Sequence, residues 1–227
     1  WEITADSTTV VYRADEVVDQ QFELFRVSIR DGLRCEGELV TIVGTQGDDV
    51  IAGTDADDVI HGLGGDDTIE GLGGDDIICG GPGDDTIRGG PGDDDLRGQT
   101  GADTISGGKG ADTISGGKGA DTIHGRSGAD VINGRSGTDT IHGGTGNDII
   151  DGGTRADRLH GNGGRDTISG GKGPDMIFGG KKGDRLLGDT GDDIIKGQSG
   201  DDALDGGGGI DTCRGGPGRD TKIRCER

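Results

Sequence analysis

The chain has 227 residues, of which 30% are charged, 27% hydrophobic and 2% aromatic, a mix too poor in apolar side chains to fill an ordinary globular core. Against 44 Asp and Glu stand 23 Lys and Arg, a formal charge of -21 that argues against nucleic acid and anionic membrane as partners and in favour of cations. No stretch approaches the roughly 20 consecutive apolar residues of a membrane helix, and the chain starts at Trp1 rather than Met, so the expectation is a soluble mature form.

Residues 1–43 differ in texture from the rest and hold Trp1, Tyr12, Phe22 and Phe25. The stretches TTVVYRA and QFELFRVSI are rich in β-branched and aromatic residues and predict strands, and ELVTIVGT leads into the glycine-rich remainder of the chain. The segment is expected to be a small N-terminal β cap that closes an otherwise unpaired sheet edge. A remnant of a larger upstream domain is the other reading.

From Gly44 to Ile223 a nine-residue register runs without insertion or deletion through 20 repeats. Position 1 is Gly and position 6 is Asp in all 20, while position 4 is Gly in 17, with Ala56, Arg155 and Lys182 the exceptions. Position 8 is Ile or Leu in 18 and becomes Cys213 and Lys222 in the last two. Glycine permits positive φ and close approach of neighbouring turns, so positions 1 to 5 predict a tight turn. Positions 6 to 9 predict a short strand, in which alternation sends position 8 to one face and positions 7 and 9 to the other. One apolar residue in nine is too little for a hairpin, but stacked coils bury it in a continuous column.

The repeats GGPGDDTIR, residues 80–88, and GGTGNDIID, residues 143–151, match G-G-x-G-x-D-x-U-x at every defined position. The chain therefore resembles the RTX, or hemolysin-type, calcium-binding nonapeptide-repeat family over about four fifths of its length. The resemblance implies an all-β fold: an RTX parallel β-roll solenoid of about 10 two-repeat coils over residues 44–223, roughly 48 Å long, with residues 224–227 as a tail. It also implies calcium as the cofactor, held between turns on the same side by turn carbonyls and the position 6 aspartates. Those are Asp49, Asp58, Asp67, Asp76, Asp85, Asp94, Asp103, Asp112, Asp121, Asp130, Asp139, Asp148, Asp157, Asp166, Asp175, Asp184, Asp193, Asp202, Asp211 and Asp220.

On such a roll, residues 18 apart stack, so Asp112 is expected to share an ion with Asp130, and Asp121 with Asp139. Ten loops on each side leave nine gaps, hence up to about 18 ions. Without metal the stacked carboxylates repel, so calcium is expected to drive folding. Position 5 varies, so acids such as Asp48 and Asp84 are expected to be mostly solvated charge. Arg155 and Lys182 put side chains into the turn, and repeats 13 and 16 are expected to be the weakest ion sites.

The cysteines Cys35, Cys79, Cys213 and Cys225 lack the paired CxxC spacing of structural zinc, and disulfides are expected instead. On a roll Cys79 and Cys213 would be about seven coils apart, beyond disulfide reach. That leaves Cys35 with Cys79 and Cys213 with Cys225, one staple at each end, and a secreted, extracellular destination. With only Arg224–Arg227 after the last repeat, the chain looks more like calcium-binding repeat proteins of Gram-positive bacteria than like toxins with a C-terminal export signal.

HExxH, GxSxG and GxxxxGK[ST] motifs are absent, so no enzyme is expected. Two outward columns arise from the 18-residue period: Thr68, Thr86, Thr104, Thr122 and Thr140, and beside it His124, His142 and His160. Threonine suits exposed strands. The histidine column raises transition-metal binding or pH sensitivity against plain surface occurrence. The functional expectation is calcium binding by an extracellular roll with a structural or adhesive role. The alternatives are a polysaccharide- or surface-binding module and a non-catalytic fragment of a larger secreted enzyme. Neither nucleic acid nor membrane insertion is expected.

Overall fold

A computed structural model describes residues 9–11, 26–28 and 33–225. Among the described residues there is no helix. Two parallel sheets, one of 10 strands and one of 11, run the length of the repeats. Strands alternate between them, so that one full coil takes two repeats: Thr104–Lys109 pairs with Thr122–Ser127 in one sheet, and Thr113–Lys118 with Val131–Ser136 in the other. Every pairing keeps the 18-residue offset, Ile105 against Ile123 and Ile114 against Ile132. The fold is the expected all-β, parallel, coil-on-coil solenoid of about 10 turns.

The position 8 column is the core. From Ile60 to Leu204 its side chains are essentially inaccessible and form one continuous cluster, with Ile51 at one end and Cys213 packed against the other. Strands such as Thr104–Lys109 and Thr122–Ser127 bury this residue between two less buried ones, as the alternation requires.

The strands are longer than the sequence pattern suggests. In the middle of the roll each covers six residues, positions 7 to 9 and then 1 to 3 of the next repeat, as in Thr122–Ser127. The turn is confined to positions 4 to 6. The physical reason is that coil-to-coil hydrogen bonds continue past the apolar residue. The position 1 amide of Gly71 donates to the Arg88 carbonyl at 2.8 Å, and the position 4 amide of Gly92 to the Lys109 carbonyl at 2.8 Å.

At the N-terminal end, Ile42–Val43 already pairs in parallel with the strand Val59–His61. The sheet thus begins one half-coil before the first glycine-aspartate signature. Val40 occupies the place that aspartate takes in later repeats and is buried with Val43, Cys35 and Cys79. The hairpin Arg34–Cys35 with Glu38–Leu39 precedes it. Of the two expected upstream strands, Thr9–Val11 and Arg26–Ser28 are present and pair antiparallel; the remainder of those stretches lies outside the described residues. Both expected disulfides form, Cys35 to Cys79 and Cys213 to Cys225, with Cα separations of 5.9 and 5.7 Å.

Candidate metal centre

The turn at positions 4 to 6 delivers each aspartate side chain to the interior. From Asp67 to Asp211 every position 6 aspartate is buried. Its Oδ1 accepts a hydrogen bond from the backbone N–H of the aspartate one coil earlier. The Asp103 amide donates to Asp121 Oδ1 and the Asp112 amide to Asp130 Oδ1, both at 2.9 Å. Residues 18 apart are therefore brought together as expected, on two ladders, one along each edge of the roll.

The second carboxylate oxygen has no such partner. In seventeen aspartates, Asp67 through Asp211, Oδ2 is buried and accepts no hydrogen bond. A buried, unpaired carboxylate oxygen is costly unless a cation meets it. Burial accordingly pushes these groups upward: Asp103, Asp112, Asp157, Asp175 and Asp184 to about 7, and Asp130, Asp139 and Asp148 to about 6. The backbone amide on Oδ1 opposes the shift, and neighbouring aspartates on the same ladder reinforce it for most.

The same geometry explains the invariant glycine at position 1. That residue does not adopt positive φ; what it lacks room for is a side chain. A Cβ on Gly107 would lie 2.2 Å from Asp112 Oδ2 and 2.9 Å from the Gly125 carbonyl oxygen, and one on Gly125 would lie 2.3 Å from Asp130 Oδ2 and 2.5 Å from the Gly143 oxygen. A carboxylate oxygen and a carbonyl oxygen of the next coil thus converge over each of these glycines. Among the described residues no three acidic, histidine or cysteine side chains gather at one point. A cation here would take one carboxylate per coil and fill its shell from backbone carbonyls, which suits a hard, oxygen-seeking ion and not zinc.

Three details of the site go beyond the repeat pattern. Asp49 and Asp58 differ from the rest, because Thr45 and Thr54 at position 2 donate both amide and hydroxyl to their Oδ2, at 2.6 and 2.9 Å and at 2.7 and 2.9 Å. Threonine at position 2 occurs in those two repeats alone, and that was the available signal. Secondly, the position 5 acids are exposed but are not merely solvated. Asp48 Oδ1 accepts the Asp66 amide at 2.9 Å and Asp84 Oδ1 the Ala102 amide at 2.7 Å, so they tie coil to coil along the rim. Thirdly, Arg155 and Lys182 adopt φ of 85° and 74° with exposed side chains. Asp157 and Asp184 keep the same burial and the same free Oδ2 as their neighbours.

The two outward columns are also present. Thr68, Thr86, Thr104, Thr122 and Thr140 stand in register. The rings of His124, His142, His160 and Phe178 stack in sequence, with centroids 5.1, 4.6 and 4.5 Å apart and interplanar angles of 18°, 7° and 4°. Near-parallel rings hold their in-plane nitrogen lone pairs side by side instead of aiming them at a common point. Burial, with the neighbouring His142 and Arg158, holds His160 down to about 4.

Two parallel sheets closed by repeating turns, with a carboxylate ladder along each edge, define a β-solenoid built to stack oxygen ligands. The family described as RTX calcium-binding nonapeptide repeat (4 copies) matches in ten overlapping stretches, from 43–78 to 188–221. The chain belongs to that family, whose repeats bind calcium. No curated protein shows significant similarity to it.

Proposed function

We propose that this chain is an extracellular roll that folds on binding calcium and serves a structural or adhesive role. The observation that carries the reading is the set of seventeen buried aspartate Oδ2 atoms without a hydrogen-bond partner. Asp67 to Asp211 would hold the ions through those atoms, together with carbonyl oxygens of the turns. Calcium, when bound, supplies a divalent charge that accepts six to eight oxygen ligands. Asp49 and Asp58 serve as capped ends, their Oδ2 atoms already satisfied by threonine. Nine free carboxylates on one ladder and eight on the other leave fifteen gaps, so occupancy falls below the eighteen of a fully repeated roll.

Residues 1–43 act as the N-terminal cap in this reading. Val40 in place of aspartate ends the ladder with an apolar contact, and Cys35–Cys79 fastens the hairpin to the roll. Two disulfides suit an oxidising compartment, and calcium there is typically at millimolar levels matching the about 0.1 to 1 mM affinities of extracellular modules.

The test is circular dichroism of the disulfide-intact, chelated protein titrated with calcium and separately with magnesium. A cooperative gain of β signal near millimolar calcium, with little response to magnesium, is expected. A chain fully folded in chelator would overturn the reading.

A further inference from the structure

The net charge of -21 conceals a segregation that the fold makes visible. From Gly98 to Leu187 the chain carries eleven Lys and Arg. Its acids in that span are ten position 6 aspartates, all buried, and Asp151. With the ladder carboxylates inside the roll, the exterior of its middle is basic.

The two broad faces do not share this charge equally. On the ten-stranded sheet, the eight strands from Thr86–Pro91 to Thr212–Arg214 contain no acidic residue. Lys109, Arg126, Arg158, Lys181 and Arg214 are exposed there, with Lys196 half-buried beside them. Among the described residues none of the six makes an ion pair. The eleven-stranded sheet carries Asp95, Asp151 and Asp205 in its strands, and two of these are paired to arginine.

We propose that the outer face of the ten-stranded sheet binds an extended acidic polysaccharide; the proposal rests on the reading of calcium-filled ladders, because metal-free ladders would repel a polyanion. The six cations recur one or two coils apart along the roll axis, over about 29 Å for the seven strands from Thr104–Lys109 to Thr212–Arg214 at the usual strand spacing. A small anion would engage one or two of them, whereas a chain with carboxylates at regular intervals engages the series. Hydroxyls of Thr122, Ser127 and Thr140 lie between the cations and match the hydroxyl-rich backbone of a sugar chain. Single-stranded nucleic acid fits less well, because base binding uses open aromatic faces. Here each interior ring of the His124 to Phe178 stack is covered on both faces by its neighbours. Charge complementarity of this kind is screened by salt.

The test uses the full chain in about 1 mM calcium, the upper range for extracellular modules, with immobilised short oligogalacturonates as probe and a neutral dextran as reference. Retention on the acidic probe that falls with sodium chloride is expected. The triple variant Lys109→Ser, Arg126→Ser and Lys181→Ser should bind about tenfold more weakly, a loss of about 1.4 kcal/mol. The control triple Lys118→Ser, Arg135→Ser and Lys172→Ser, on the opposite sheet, should stay within about twofold of the parent, less than about 0.5 kcal/mol. Equal loss in both triples, no retention of a protein whose dichroism shows it folded, or stronger retention on duplex DNA or phosphatidylserine vesicles would each overturn the proposal. Dichroism in chelator is read separately, so failure of calcium-driven folding is distinguishable from failure of binding.

Discussion

At the scale of single residues, the adjacent glycines at positions 1 and 2 should tolerate replacement differently, and substitution separates them. Gly107 has no room: its Cβ would meet Asp112 Oδ2 at 2.2 Å and the Gly125 carbonyl oxygen at 2.9 Å. Gly108 next to it has φ of 136° and its Cβ would lie 1.9 Å from the Gly90 carbonyl oxygen. Yet Gln99 and Gln198 hold the same repeat position at φ of 79° and 76°, so a change of local φ makes room there, whereas position 1 is Gly in every repeat. Gly107→Ala is therefore expected to cost about 3 kcal/mol, the upper range of core overpacking. Gly108→Gln should cost about 1 kcal/mol, the usual expense of a non-glycine at positive φ. Urea unfolding at saturating calcium measures both, and a Gly107→Ala cost no larger than that of Gly108→Gln would refute the steric account. His160 offers a second residue-scale prediction. Its folded value, about 4, lies below the ordinary 6.5, so its contribution to stability is present above 6.5 and lost as pH falls toward 4. His160→Phe extends the stack that ends in Phe178 and should reduce the loss of stability between pH 6.5 and 4 relative to the parent, measured by unfolding at a series of pH values in fixed calcium.

At the scale of the repeated element, the ladder aspartates titrate in the opposite sense. The folded values of Asp103, Asp112, Asp157, Asp175 and Asp184 in the metal-free roll are raised to about 7, and those of Asp76, Asp85, Asp130, Asp139, Asp148 and Asp193 to about 6, above the 3.8 of a free side chain. The stabilisation is full below 3.8 and is lost as pH rises through about 7. Chelated protein should then gain β signal on acidification from about pH 8 to about pH 5. Protons compete with calcium for the same oxygen atoms, so the calcium midpoint should rise over the same range. A midpoint independent of pH would mean that the buried carboxylates are not the ligands. Much of this element was legible in the sequence, because an unbroken period of nine fixes which residues stack, and position 8 supplies the core residue from Ile51 to Leu204. What was not legible depends on contacts between coils. The strand runs on through positions 1 to 3 because of backbone hydrogen bonds that leave no mark on side-chain alternation. Val40 begins the stacking without glycine or aspartate, so no pattern announced it. Thr45 and Thr54 satisfy the first two carboxylates through local hydrogen bonds, visible in the sequence only as a departure from the repeat.

For the whole molecule, a solenoid in which each coil touches only its neighbours is stabilised link by link and opens from its ends. The position of the disulfides matches that behaviour. Cys35–Cys79 closes a span of 44 residues and Cys213–Cys225 one of 12. On the chain-entropy estimate these are worth about 4 and about 3 kcal/mol respectively. The ends they guard are also unequal. The N-terminal end has Val40, Val43 and the disulfide itself buried together, whereas at the C-terminal end position 8 becomes Cys213 and then Lys222, and Ile223 is exposed. The C-terminal coils therefore have less apolar burial to hold them once their staple is cut. Hydrogen exchange in saturating calcium should show Cys213→Ser/Cys225→Ser losing protection over the last two coils, Gly188 to Ile223, with the central strands unchanged. Cys35→Ser/Cys79→Ser should lower the denaturant midpoint more, because it releases the longer loop, while its local exchange change stays smaller, because the buried valines remain. If both variants instead lost protection uniformly along the roll, the coils would be folding as one cooperative block and the link-by-link description would fail.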